Sequence, residues 1–287
     1  MESFGRICSV IGSDRPGRKV GGLLRPEHLS RALELLIKAS SVAVVTGFFV
    51  PACGAPETDG PGGAVMLGRA LERCGRSATL YTDARCFSVL ESCSRAVEGP
   101  AVRSVETGEE ILESSPSLLV FIERLGRAAD GRYYNMRAED ISSVTAPLDD
   151  AAPLALTAGI PVLAVGDGGN EAGMGNFRGD LSSILPEYAH CLSVTQASVT
   201  LPADVSDWGG YALAAMLSLA AGEWVGPEEE EIDRMLASLV GAGAVDGVTR
   251  RGEPTVDSFN ASVHRAVVRS LQEIMSSAIL NTKRAPL

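Results

Sequence analysis

The chain is poor in the residues that build the commonest catalytic sets. It holds three histidines, His28, His190 and His264. None lies in a glycine-rich or acid-rich loop, which argues against a His-based triad or a His-rich zinc site. Six cysteines are scattered with no CxxC spacing. That disfavours a zinc knuckle and suits free thiols in a reducing compartment. Cys53 stands in a loop of interest but has no nearby histidine to activate it. Aromatic residues make up only 5% of the chain. No basic block exceeds Arg250-Arg251 and the net charge is −11, a balance that excludes nucleic acid as a partner. No apolar run reaches 18 residues, so no membrane span is expected. The first residues lack the apolar stretch of a signal peptide and the Arg-rich pattern of a transit peptide. A soluble, cytoplasmic protein is the expectation.

What is present is a core. The chain of 287 residues is 45% hydrophobic with a mean hydropathy of +0.14, enough for one large domain or two modest ones. Short buried runs at 41–47, 78–82, 101–105, 117–123, 160–165 and 191–194 predict strands. Helical patterns fall between them, at about 26–37, 63–74, 84–97, 108–114, 149–158 and 207–221. The alternation predicts an α/β fold with three αβα layers, the sheet mainly parallel and helices on both faces. No linker divides the chain. One domain spanning 1–287 is expected, helical from about 225, with a last helix over 257–281 carrying Phe259, Val263, Val267, Leu271 and Ile274. Residues 1–24 have no clear pattern. Gly12–Lys19 resembles a P-loop but lacks the Gly-Lys-Ser/Thr ending and a preceding buried strand. The acids Glu228–Glu231 follow Pro227 at a helix start, where they complement the helix dipole.

Three of the predicted strands run into unusual loops. After 160–165 comes Gly166-Asp167-Gly168-Gly169-Asn170-Glu171-Ala172-Gly173-Met174-Gly175, half of it glycine. Glycine tolerates φ > 0 and close approach of a ligand. Asp167, Asn170 and Glu171 offer hard oxygen donors of the kind Mg²⁺, Mn²⁺ or Ca²⁺ selects. The loop after 41–47 carries Glu57 and Asp59, and the strand 117–123 ends on Glu123. In a parallel sheet these carboxyl ends share one edge. Acids gathered there need a cation, a bound ammonium or protons. Glu57, Asp59, Asp167 and Glu171, with Glu123 beside them, are the expected ligands of a divalent cation. Arg124, Arg127 and Arg132 either hold an anionic substrate group or pair with the acids; the sequence leaves both open. Tyr133-Tyr134 reads as packing. A dinucleotide cofactor is not expected, because Asp167 and Glu171 stand where pyrophosphate needs N–H groups and a third glycine.

Four stretches in order resemble one family. They are Thr46-Gly47-Phe48-Phe49 with Pro56-Glu57-Thr58-Asp59-Gly60-Pro61-Gly62-Gly63; Ile122-Glu123-Arg124 with Gly126-Arg127-Ala128-Ala129-Asp130-Gly131-Arg132-Tyr133-Tyr134-Asn135; Gly166-Asp167-Gly168-Gly169-Asn170-Glu171 with Gly173-Met174-Gly175-Asn176; and Ser206-Asp207-Trp208-Gly209-Gly210. The chain is similar over nearly its whole length to the C-terminal-domain family of D-glutamate cyclases, with Asp207 where the family usually has Asn. The resemblance implies a lyase that closes D-glutamate into 5-oxo-D-proline with loss of water. The animal relative is mitochondrial and carries an additional N-terminal domain, so the mitochondrial matrix is the alternative location. Against that chemistry Glu123, Asp167 and Glu171 are the expected catalytic residues. Thr58, Arg124, Arg127, Arg132, Gly168, Gly169 and Asn170 are the expected contacts to a small acidic metabolite. A homo-oligomer is compatible with the sequence. The same acids would suit a metal-dependent phosphohydrolase, or a non-catalytic protein that binds an acidic metabolite or a cation.

Overall fold

Short aliphatic and β-branched runs form six strands: β1 Ser41–Thr46, β2 Ser77–Thr82, β3 Ala101–Ser104, β4 Leu118–Ile122, β5 Val162–Gly166 and β6 Val199–Pro202. In the computed structural model, which describes residues 2–284, they build one sheet in the order β3-β2-β1-β4-β5-β6. Every neighbouring pair is parallel. The order reverses between β1 and β4, where Val45 pairs with Phe121 and Thr46 with Ile122. Connections leave in opposite directions at such a point, and a crevice opens beyond the carboxyl ends of the two strands.

The helices, in order, are α1 Glu2–Ile11, α2 Pro26–Lys38, α3 Pro61–Arg73, α4 Phe87–Ala96, α5 Gly108–Leu112, α6 Ala151–Thr157, α7 Arg178–Ile184, α8 Ser206–Ala221, α9 Glu229–Gly241 and α10 Ala261–Arg284. Side-chain alternation along the strands divides them into layers. Val42, Val44, Val120 and Ile122 face a thick layer that includes residues of α1, α2, α3, α8, α9 and α10. Ala43, Val45, Leu119 and Phe121 face a thin one containing Ile111 of α5 and Ala151, Ala152 and Ala155 of α6. The three-layer parallel architecture is the one expected, but it is lopsided. Among the described residues no helix is long and apolar enough to cross a membrane.

Helix α8 runs through the middle of the thick layer, buried from Ser206 to Ser218, as a helix apolar on all sides must be. It crosses α3 backbone to backbone: a Cβ on Gly210 would lie 2.4 Å from Gly63 Cα. The crossing is pinned by reciprocal caps. Asp59, just before α3, accepts the first amides of α8, from Ser206 at 3.1 Å and Asp207 at 2.9 Å. Asp207 accepts the first amides of α3, from Gly60 at 3.1 Å and Gly63 at 2.6 Å. Each carboxylate meets the positive end of the other helix.

Three expectations change. Residues 191–194 form no strand; the amides of Ser193 and Val194 donate to Gly169 and Arg127, so the segment crosses the loops instead of joining the sheet, and β6 lies further on. An apolar run that short does not distinguish the two fates. Residues 2–11, which had no clear pattern, form α1, with Ile7 and Ile11 buried on one face. The last helix begins at Ala261, not at 257, because Thr255–Val256 and Phe259–Asn260 pair first as a small hairpin.

Candidate active site

A cavity of about 240 Å³ opens in the crevice between β1 and β4. Its walls include Glu57, Glu123, Asp167, Asn170 and Glu171 from the three loops singled out in the sequence. Asp59 lies beneath: Asp59, Asp167 and Asp257 each bring one carboxylate oxygen within 4.8 Å of the others, and so do Glu123, Asp167 and Glu171. Asp167 is common to both groups. Glu57 belongs to neither; it is half-buried on the wall, against Gly247.

Local backbone geometry sets each acid. Glu123 follows β4 directly and adopts φ +45°, a left-handed conformation that non-glycine residues keep only when their surroundings enforce it. Its carboxylate accepts Ser206 Oγ at 2.6 Å. Glu171 turns back on its own loop and accepts three amides, those of Asp167 at 3.0 Å, Gly168 at 2.6 Å and Gly169 at 2.7 Å. Gly169, at φ +104°, provides the bend that points these amides at one carboxylate. Gly168 and Gly169 therefore form the cradle of Glu171. The Asn170 amide donates to Tyr134 O at 2.8 Å.

The substrate contacts expected of other residues are placed differently. Thr58 is buried and donates to Thr255 O at 2.8 Å. Arg124 turns away from Glu123 to Asp83 at 2.7 Å and to the carbonyls of Gly47 and Ala146. Arg127 pairs with Asp149 and Asp150 beside a separate cleft. Arg132 is exposed, near Asp130 and Asp140. None of the four lines the acidic cavity.

The cation nearest the floor is instead Arg18, from the segment that resembles a P-loop. Its Nη1 lies 2.7 Å from Asp167 Oδ2 and its Nη2 2.8 Å from Asp257 Oδ1. Asp257 is itself at φ +53° and buried. Asp246 organises the surrounding loop, accepting the amides of Val248, Thr249 and Ser258 and the hydroxyl of Thr255. Asp246 and Asp257 carry no motif, and the P-loop-like stretch around Arg18 does not link it to these acids; the positive φ of Asp257 is visible only in the fold. Phosphate binding at the N-terminus of α3, the use made of this position in dinucleotide folds, is blocked here because Asp207 takes the Gly60 and Gly63 amides.

The family profile for the D-glutamate cyclase-like C-terminal domain matches residues 7–272. The chain belongs to this family. The human protein D-glutamate cyclase, mitochondrial, is 36% identical over 234 residues, 73% of this chain and 38% of the human one. The chain thus spans well under half the length of that curated relative. An exopolyphosphatase-related protein from Bacteroides fragilis is similar at 9% identity and TM-score 0.41, over 92% of this chain and 62% of that one, a likeness too slight to bear on function.

The electrostatics of this D-glutamate cyclase-like domain follow from the crowding. Burial, then the neighbouring acids, raise the carboxyls of Asp59 and Glu123 well above the usual range. Burial does the same to Asp167, against the pull of Arg18. Burial and Asp257 push Glu57 up to about 8, and burial takes Asp207 to about 7. A carboxyl whose folded value exceeds its unfolded one contributes stability that is complete below the unfolded value and lost as pH rises through the folded value. His264, held near 4 by burial, works in the opposite sense but only below its ordinary 6.5. Between pH 6.5 and 8 the acids therefore decide the slope. Without divalent cations the melting temperature is expected to fall across that window. Differential scanning calorimetry in EDTA checks it; a flat or rising profile would mean the acids are already neutralised.

Proposed function

We propose that this cavity closes D-glutamate into 5-oxo-D-proline with loss of water, assisted by a divalent cation. The observation that carries the reading is a floor of buried acids with spare ligand capacity: Asp257 Oδ2 accepts no hydrogen bond, and Asp167 Oδ2 has only the misaligned contact of Arg18. Family membership supports the choice of substrate. The chain's short span relative to the human protein leaves activity to be tested on this domain itself.

Ring closure joins the amine nitrogen to the γ-carboxyl carbon and expels one γ-oxygen as water. The ammonium loses two protons in all, and the departing oxygen gains two. The ammonium suits the anionic floor. An ionised carboxylate among Glu123 and Asp167 accepts a proton from it, and a protonated neighbour donates to the leaving oxygen. Burial raises the proton affinity of both carboxyls, the kind of shift that fits a buried acid for proton transfer. Glu171, fixed by three amides, is suited to ligand or charge-balancing duty more than to proton transfer. A cation held by Asp59, Asp167 and Asp257, or by Glu123, Asp167 and Glu171, would polarise the γ-carboxylate, a poor electrophile by itself. The all-oxygen donor set favours Mg²⁺, Mn²⁺ or Ca²⁺.

The direct test is incubation of D- and L-glutamate with the domain, with Mn²⁺ or EDTA, followed by chiral chromatography and a phosphate-release assay on phosphate esters. The reading requires 5-oxo-D-proline that depends on the cation. Phosphate release without lactam would indicate a phosphohydrolase instead, and neither product would end the enzymatic reading.

Arg18 competes with a cation for Asp167 and Asp257. In Arg18→Met the metal-free domain should melt lower, and the gain in melting temperature on adding Mn²⁺ should exceed the wild-type gain, since ligand binding stabilises by mass action. An equal or smaller gain would show that Arg18 and the cation do not share these carboxylates.

A further inference from the structure

We infer that Arg137 and Arg250 hold the unreacting α-carboxylate of the substrate at the mouth of the cavity; the inference rests on the reading of the site as one for an acidic amino acid. Such a substrate carries two carboxylates and one ammonium. The floor, with Glu123, Asp167 and Asp257, attracts only the ammonium and, through a cation, the reacting carboxylate. The second carboxylate needs a positive partner elsewhere.

Three arginines line the cavity, Arg18, Arg137 and Arg250. Arg18 is already placed across Asp167 and Asp257. Arg137 and Arg250 form no ion pair among the described residues. Arg137 Nη2 makes only long contacts, 3.3 Å to Gly247 O and 3.5 Å to Val248 O. In a chain with 36 acidic and 25 basic side chains, two guanidinium groups without carboxylate partners facing an acidic cavity are available for an anion from solution.

Both stand on braced loops. Asn135 Oδ1 accepts the amide of Arg137 at 2.9 Å and that of Glu139 at 3.1 Å. Arg250 is at φ +59°, and its amide donates to Asp246 O at 2.7 Å. The contact of Arg137 with Gly247 and Val248 joins the two loops across the rim. The guanidinium fork matches a carboxylate. A volume of about 240 Å³, below the roughly 300–1,000 Å³ of drug-sized sites, suits an amino diacid lying with its ammonium inward and its α-carboxylate outward.

The test compares D-glutamate with D-isoglutamine, in which the α-carboxylate is a neutral amide, on wild type, Arg137→Met, Arg250→Met, the double variant and Arg250→Lys. Both arginines are exposed, so unchanged melting curves are expected. The double variant should raise KM for D-glutamate by about tenfold or more with kcat nearly kept, as loss of a uniform binding contact does. KM for D-isoglutamine should stay within about threefold. Arg250→Lys should recover part of the loss. Wild-type KM in the double variant, or a fall in kcat alone, would overturn the assignment while leaving the cyclase reading intact. A wild-type domain that neither binds nor cyclises D-glutamate removes that reading, and the assignment with it.

Discussion

Asp167→Asn is expected to abolish cation-dependent stabilisation and to lower cyclase turnover by about 10²–10⁴-fold, the usual contribution of a positioned proton-transfer group. Asp167 is the one acid shared by both carboxylate groups on the floor, and it faces Arg18. The amide keeps the shape of the side chain and removes its charge and basicity. Glu171 continues to hold the loop, because the three amides it accepts are backbone groups of Asp167, Gly168 and Gly169 and none involves the Asp167 side chain. The variant should therefore fold, which circular dichroism would verify. Mn²⁺ titrations followed by thermal melting would then separate wild type, whose melting temperature rises, from the variant, whose melting temperature does not. A variant that keeps the full Mn²⁺ response would remove Asp167 from the ligand set.

Gly210→Val should unfold the domain or come close to it. Even a single Cβ at this position would sit 2.4 Å from Gly63 Cα and 2.6 Å from Gly63 C, both rigid backbone atoms. The helices α3 and α8 would have to separate, and with them the reciprocal caps of Asp59 and Asp207. Overpacking of this kind costs about 3 kcal/mol or more, and the loss of the caps adds about 1 kcal/mol each. Gly210→Ala, the milder variant, should lower the melting temperature by about 6–12 °C at about 2–4 °C per kcal/mol. A drop under about 2 °C would mean that the crossing yields without cost.

The acid-bearing loops were legible because each follows a buried strand, and a parallel sheet sends all such loops to one edge. Glu57, Glu123, Asp167 and Glu171 meet there for that reason. The direction of individual side chains was not legible. Arg124 is adjacent to Glu123, but the left-handed turn at Glu123, φ +45°, sends the two side chains apart, so Arg124 reaches Asp83 beneath the first loop while Glu123 faces the cavity. Arg18 and Asp257 were missed for another reason. They stand 149 and 90 positions from Asp167 in the chain, Asp257 in a segment without a motif and Arg18 in a P-loop-like stretch with no evident tie to the acids, and only the folding of both ends over the crevice brings them to it. In the sequence Asp207 stands out only through the family resemblance, and its role as the cap of α3 depends on the crossing with α8.

The central claim is that the floor of the crevice binds a divalent cation next to an acidic amino acid. The most direct measurement is a crystal grown with Mn²⁺ and D-glutamate, with anomalous scattering collected for manganese. The account predicts an anomalous peak about 2.0–2.6 Å from a carboxylate oxygen of Asp167, with Asp257 or Glu123 completing the set and Arg18 displaced from Asp167. The amino acid should lie above it. A crevice with no manganese, Arg18 still across Asp167 and Asp257, and D-glutamate absent or bound elsewhere would contradict it.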